Sequence, residues 1–135
     1  MKRVILPGVI AGVVLLALSY GALWVLVNFL PGLAEQYYNP VFSLEGDKTV
    51  LYFLHPFILS FALAWFWERF KGQFEGSWVV RGLELGLVYG IVATLPAMWI
   101  TFSSLALSFP LVLSWFAYGI FQAAVVGLIY SKMNP

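Results

Sequence analysis

The chain is predicted to fold as an all-α bundle of four transmembrane helices with both termini in the cytoplasm, and three observations lead there. Of its 135 residues, 62% are hydrophobic and only 10% charged. Soluble domains run at roughly 45–50% apolar and about 25% charged. Four segments are long and apolar enough for a helix to cross a hydrocarbon layer, which takes about 20 residues. Finally, six of the seven Lys and Arg residues fall on one side of those segments.

A fold in water needs polar residues for its outer surface, and a mean hydropathy of +0.93 leaves too few. Lipid is therefore the expected outer solvent. The net charge of +1, with no basic run interleaved with aromatics, gives no argument for nucleic acid as a partner. Zero cysteines remove disulfides, thiolate metal sites, Cys nucleophiles and iron–sulfur ligation together. The length suits one domain over 1–135.

The first span covers 4–30 and stops at Pro31-Gly32. Met1-Lys2-Arg3 ahead of an apolar run imitates a secretory signal, but the run exceeds the 7–15 residues of a typical signal core, so an uncleaved first helix is expected. The second span covers 49–67, with Asp47 placed to cap it. The third covers 82–102. The fourth covers 109–130, with Pro110 in its first turn, where a missing N–H costs nothing.

Orientation follows from the basic residues. Lys2, Arg3, Arg69, Lys71, Arg81 and Lys132 lie on one side and only Lys48 on the other, which predicts cytoplasmic termini and a cytoplasmic middle loop. Trp24, Trp99 and Trp115 fall in the outer halves of their spans, whereas Trp65, Trp67 and Trp78 gather at the cytoplasmic boundary, as two interfacial belts would. The layout is similar to that of many small bacterial inner-membrane proteins, a resemblance that no specific motif carries. The expected location is thus the bacterial plasma membrane, crossed several times.

The loops carry weaker signals. In the outer loop, 31–48, Tyr37 and Tyr38 suit the headgroup region and Asn39-Pro40 reads as a turn. Such a loop lies at the interface, caps the bundle or docks a partner. In the cytoplasmic loop, 68–81, Phe70, Phe74 and Trp78 recur every four residues. They fit a surface-lying helix or a fraying extension of the second span, because Gly72 and Gly76 each cost a helix about 1 kcal/mol. HPFILSF at 55–61 resembles FPLVLSW at 109–115, but their depths differ, so duplication is the lesser reading.

Lipid tails are as apolar as leucine, so helix association must come from close packing and interhelical hydrogen bonds. Gly82, Gly86, Gly90 and Thr94 share one face of the third span, and Gly119, Ala123 and Gly127 one face of the fourth. Gly8 and Gly12 do the same on the first, and Ser60 and Ala64 on the second. The third and fourth spans are expected to form a tight antiparallel hairpin.

The polar residues within the spans are the candidates for function. His55, the only histidine, falls near the membrane midplane, at a depth similar to Tyr20, Thr94 and Tyr118, with Ser60 and Gln122 deeper toward the cytoplasm. An ion there would cost about 2.5–3.5 kcal/mol, so a neutral imidazole with a nearby partner is expected. Pro56 removes the helical donor for the Tyr52 carbonyl and favours a kink. Three readings of His55 stay open. It makes a structural hydrogen bond to Tyr20 or Tyr118, it ligates a haem or chlorophyll-type pigment as one axial ligand, or it handles protons or substrate in a transport path. Glu84, three residues after Arg81, reads as the partner of a boundary ion pair and as a candidate ion or proton site. Asn28 reads as a cap or an interhelical tie.

No Ser/His/Asp set, HExxH, phosphate-binding glycine loop or CxxC occurs, and His55 with Glu84 makes no metal site, so no enzyme, metal or cofactor is predicted. The function expected first is a non-catalytic packing or accessory subunit. It would self-associate as a homo-oligomer or join a larger membrane complex, surrounded by lipids. The alternative is a small oligomeric transporter or channel with a polar path around His55, and a haem- or pigment-binding subunit is the third. Topology is checked by placing a cysteine at Ser43 in this cysteine-free chain. A membrane-impermeant maleimide should label it from the periplasm, and labelling only from the cytoplasm would reverse the orientation.

Overall fold

The structure is a computed structural model that describes residues 2–42 and 47–135. Ser43, and the Asp47 side chain expected to cap the second span, lie outside what it describes. In chain order come α1 (Lys2–Phe29), α2 (Pro31–Gln36), α3 (Asp47–Phe70), a 3₁₀ turn at Lys71–Gln73, α4 (Trp78–Tyr89), a π-helical turn at Gly90–Thr94, α5 (Leu95–Ser104) and α6 (Phe109–Met133). The architecture is all-α, with four helical segments long and apolar enough to cross a membrane: Lys2–Phe29, Lys48–Gln73, Trp78–Ser104 and Phe109–Met133. Ser77 caps α4 by accepting from the Val80 N–H, and Ser108 caps α6 by accepting from the Leu111 N–H, each at 3.3 Å.

The outside of the bundle is apolar, as lipid requires. Trp99 is 76% exposed and Val92 70%, with leucines, valines and isoleucines of every span beside them. The interior is filled by Leu15, Leu85, Leu111, Val126, Trp67 and Tyr130, which are fully buried. Two helix pairs dominate, α4 with α6 and α1 with α3, and α6 joins them by lying against α1 and α3 as well.

Small residues set the closeness of both pairs. A Cβ on Gly82 would sit 2.7 Å from the Leu128 amide nitrogen, and one on Gly127 would run into the Gly82 carbonyl. Farther along, a Cβ on Gly86 would meet Ala124 Cβ at 2.9 Å, and one on Gly90 would meet Ile120 Cγ1 at 2.8 Å. Gly119 faces Thr94, and Ala123 is fully buried on the same helix. In the other pair, Gly8 receives the Phe61 ring and Gly12 the Phe57 ring. Those obstacles are side chains that can turn away. The Gly82–Gly127 obstacle is backbone.

The third span, expected as one helix over 82–102, is a continuous helical segment over Trp78–Ser104 that contains a π-helical turn. Pro96 brings a ring that crowds the carbonyl four residues back and lacks an N–H, and the wider turn gives it room. The Leu95 N–H goes to the Gly90 carbonyl, five residues back. The Ile91 carbonyl thereby loses the donor an α-helix would supply, and the π-helical substitute, Pro96, has none. α3 in contrast stays α-helical through Pro56.

Of the two expectations for the loop over 68–81, the extension of the second span is the one found. The helix passes 67 and loosens into a 3₁₀ turn, whereas no surface-lying helix forms there. α3 ends at Phe70, the chain turns at Lys71–Gln73, and Phe74 folds back into the bundle. Its ring stacks on Trp67 with centroids 5.4 Å apart and planes 8° apart, so no surface stripe of Phe70, Phe74 and Trp78 forms. Gly76 takes a φ of 103°, a left-handed conformation suited to glycine, just before the Ser77 cap. Duplication also fails as a reading, because Pro110 opens α6 whereas Pro56 lies inside α3.

The packing predicts a contrast between two glycines. Gly127→Ala should lower stability by about 1–3 kcal/mol, the usual cost of overpacking. Gly21→Ala, where nothing lies within 4 Å of the added methyl, should be neutral or stabilise by up to about 1 kcal/mol. Unfolding of both variants in detergent by SDS titration reads the difference.

Candidate functional site

The polar groups of the bundle fall into three inner clusters and a set at one end, with His55 and Tyr20 among those facing outward. The first cluster is centred on Ser60, buried on α3. Its hydroxyl donates to the Gly8 carbonyl on α1 at 2.6 Å. The Tyr130 hydroxyl on α6 lies 2.8 Å from the same Oγ and donates to the Ser60 carbonyl. Two protons thus serve three contacts, and three helices meet at one residue. Gly8 thus receives the Phe61 ring and also supplies the carbonyl that accepts from Ser60.

The second cluster closes the end of the bundle that holds the C-terminus and the turn after α3. Trp67, only 1% exposed, donates its indole N–H to the Asn134 carbonyl at 2.7 Å. The Asn134 amide donates to Glu68 at 2.6 Å, and Lys71 donates to Asn134 Oδ1 at 2.9 Å and to Glu68 at 3.1 Å. Arg81 donates to the Lys71 carbonyl at 3.1 Å, and its guanidinium lies 5.1 Å from the centre of the Trp67 ring. Ser131 donates to the Trp78 carbonyl at 2.6 Å, tying α6 to the start of α4. Trp67 is therefore a core residue, unlike the exposed Trp65 and Trp78 at the same boundary.

Arg81 is consequently engaged away from Glu84. The ion pair found among the described residues is Lys71–Glu68, and Glu84 lies in the second turn of α4, because that helix begins at Trp78 and not near Gly82. The expected Arg81–Glu84 pair is thus replaced by contacts of Arg81 with the α3 terminus. Half-buried Glu84 stands without an ion-pair partner among the described residues.

At the opposite end the described part of the connection between α1 and α3 folds onto α6. The Trp115 indole donates to the Tyr37 hydroxyl at 2.6 Å, Ser108 donates to Gln36 Oε1, and Phe42 meets Trp115 edge-on. An open hollow of about 260 Å³ beside Gln36 and Ser108 is lined mainly by turn residues. Asn28 makes neither a cap nor an interhelical tie, because it donates back to Trp24 of its own helix at 2.8 Å.

The third inner cluster adjoins the π-helical turn. Thr94 is 6% exposed, yet its hydroxyl has no partner, and neither does the buried Tyr118 hydroxyl. Ser19, Thr101 and Ser114 all return their hydroxyl protons to a carbonyl three or four residues back. Thr94 does not, and the Gly90 carbonyl it would use already accepts from Leu95. Gln122 is buried on α6, one turn below Tyr118.

His55 belongs to none of these clusters. Its side chain is exposed on the outer face of α3, while its neighbour Pro56 is buried. Tyr20 is 57% exposed and stacks on Phe53 at 5.6 Å. Because Gly12 faces Phe57 across the antiparallel pair, His55 lies level with the turn after Gly12. Tyr20 is one to two turns farther out. The structural hydrogen bond expected from His55 to Tyr20 or Tyr118 is therefore not made. Helical phase decides this, since His55 is one residue, about 100° of turn, away from the inward-facing position.

Ser60, Thr94, Gln122 and Tyr118 were legible as polar residues at membrane depth, but the anchors Tyr130, Asn134 and Trp67 were not. A long side chain on a helix leans toward the N-terminus, and that lean was the available sign that Tyr130 reaches inward. Comparison with protein-family models, curated proteins and solved structures gives no match.

The Ser60 tie predicts coupling. Ser60→Ala and Tyr130→Phe combined in a double-mutant cycle should show an interaction of about 0.6 kcal/mol, the average for interhelical hydrogen bonds in membranes, and at most about 1.7 kcal/mol. A Ser60→Ala/Thr101→Ala cycle, with Thr101 bonded within its own helix, should show none.

Proposed function

We propose that this chain is a non-catalytic packing or accessory subunit of a bacterial plasma membrane, oriented with both termini in the cytoplasm and associating with itself or with a larger membrane complex. The observation that carries the reading is the use made of polar groups inside the bundle. At Ser60, Asn134 and Ser131 they bond one helix to another, which rigidifies a filled interior. A subunit whose inner polar groups are spent on its own packing offers its outer surface for work.

A second reading, a small transporter, draws on a different observation. The Thr94 and Tyr118 hydroxyls are buried without partners beside a π-helical turn, and π-bulges and unpaired buried polar groups both recur at functional sites. Glu84, also in the third span, adds an ionisable group.

Reconstitution decides between them. Proteoliposomes of the purified protein should show no proton or cation flux above protein-free vesicles, and Glu84→Ala and Thr94→Val should change nothing. Flux that appears with the wild type and collapses in either variant would replace the subunit reading with the transport one. A Soret or chlorin absorption band lost in His55→Ala would replace both with a pigment-binding subunit.

A further inference from the structure

We infer that the outer face of α3 is a dimerisation seam on which His55 meets the His55 of a second copy of this chain. The inference rests on the subunit reading above and names its partner. It begins from a mismatch of solvent. His55 is exposed, yet it follows the first residue of α3 by only eight positions, about 12 Å at 1.5 Å per residue. That depth is within the hydrocarbon, and an imidazole is too short to reach the headgroups as lysine or arginine does. Polar residues in membrane helices face a protein partner or a water-filled cavity. Within the chain neither Tyr20 nor Tyr118 supplies one, and the inward face of α3 is occupied by Pro56, Leu59, Ser60, Leu63 and Trp67.

The pattern around His55 names the occupant. Leu51, His55, Ile58, Ala62 and Trp65 are all exposed and succeed one another at intervals of four, three, four and three residues. This is the repeat of a left-handed two-helix seam, with small Ala62 permitting close approach. Membrane insertion gives every copy the same orientation. A closed pair must then have its twofold axis along the membrane normal, and a residue beside that axis meets its own counterpart at equal depth. Few side chains can bond to themselves across such an axis. Neutral imidazole can, because it carries one N–H donor and one nitrogen acceptor. A buried asparagine in a coiled-coil seam sets register and copy number in the same way.

The absence of cysteine makes the test direct. Single-cysteine variants Ile58→Cys and Ala62→Cys, oxidised in native membranes, should give disulfide-linked dimers, whereas Val92→Cys and Leu87→Cys on the third span should not. In lipid nanodiscs, native mass spectrometry should find two copies. His55→Leu should reduce the dimer fraction at a given protein-to-lipid ratio at least tenfold, and His55→Asn, which keeps a donor and an acceptor, should restore most of it. An exposed leucine suits lipid, so a folding defect is not the expected cause of any loss. Dimers that cross-link through Val92 and ignore His55→Leu would overturn the seam and leave the subunit reading standing. A larger protein bound across Ile58, with no second copy, would do the same. Single copies under every lipid condition, without any partner, would overturn both.

Discussion

The contact between the backbones of Gly82 and Gly127 sets the geometry on which the rest of the bundle is built. In hydrocarbon there is no hydrophobic gain in bringing two helices together, so attraction has to come from many atoms at van der Waals distance. Two bare backbones at one crossing give the closest approach that helices can reach. Gly86 against Ala124 and Gly90 against Ile120 continue it along the hairpin. With α4 held this tightly, α6 becomes the fixed element against which α1 and α3 pack.

The second pair of helices is joined in a different way. Gly8 and Gly12 accept aromatic rings rather than backbone, a contact that can adjust. What removes the freedom is hydrogen bonding. Ser60 is tied to Gly8 on one side and to Tyr130 on the other, so the adjustable pair is locked in register to the rigid one. The end of the bundle near the C-terminus adds Trp67, which is apolar over most of its surface and carries one N–H that the Asn134 carbonyl accepts. Arg81 lies against its ring and bonds to the Lys71 carbonyl just after α3. Packing determines the distance between helices, and the polar ties determine how far each may slide.

Against this background the exceptions have physical content. Thr94 and Tyr118 keep buried hydroxyls without partners, in the one part of the hairpin where Pro96 has broken the backbone ladder. His55 has the opposite condition, being polar and unburied. The first is a local weakness inside a stiff structure, the second an unmet demand on its surface. Each cost falls where a helix could relieve it, at a turn that can change register or on a face that another molecule can cover.

Much of the fold was legible in the residues alone, because lipid imposes constraints that do not depend on neighbours. Composition and run length name four helical crossings wherever those helices later sit. Glycine spacing marks which faces approach closely, since only a missing side chain permits it. The faces of the polar residues were not legible. Moving one position along α3 separates buried Pro56 from exposed His55, and depth, which a sequence reports well, carries no information about azimuth. Nor could spacing show that Arg81 would leave Glu84 for Trp67, or that Phe74 would turn back into the core. Those outcomes depend on residues seven to fourteen positions away, brought close by the turn that follows α3. The solvent chose the architecture, and the packing of particular side chains chose which polar groups it would enclose.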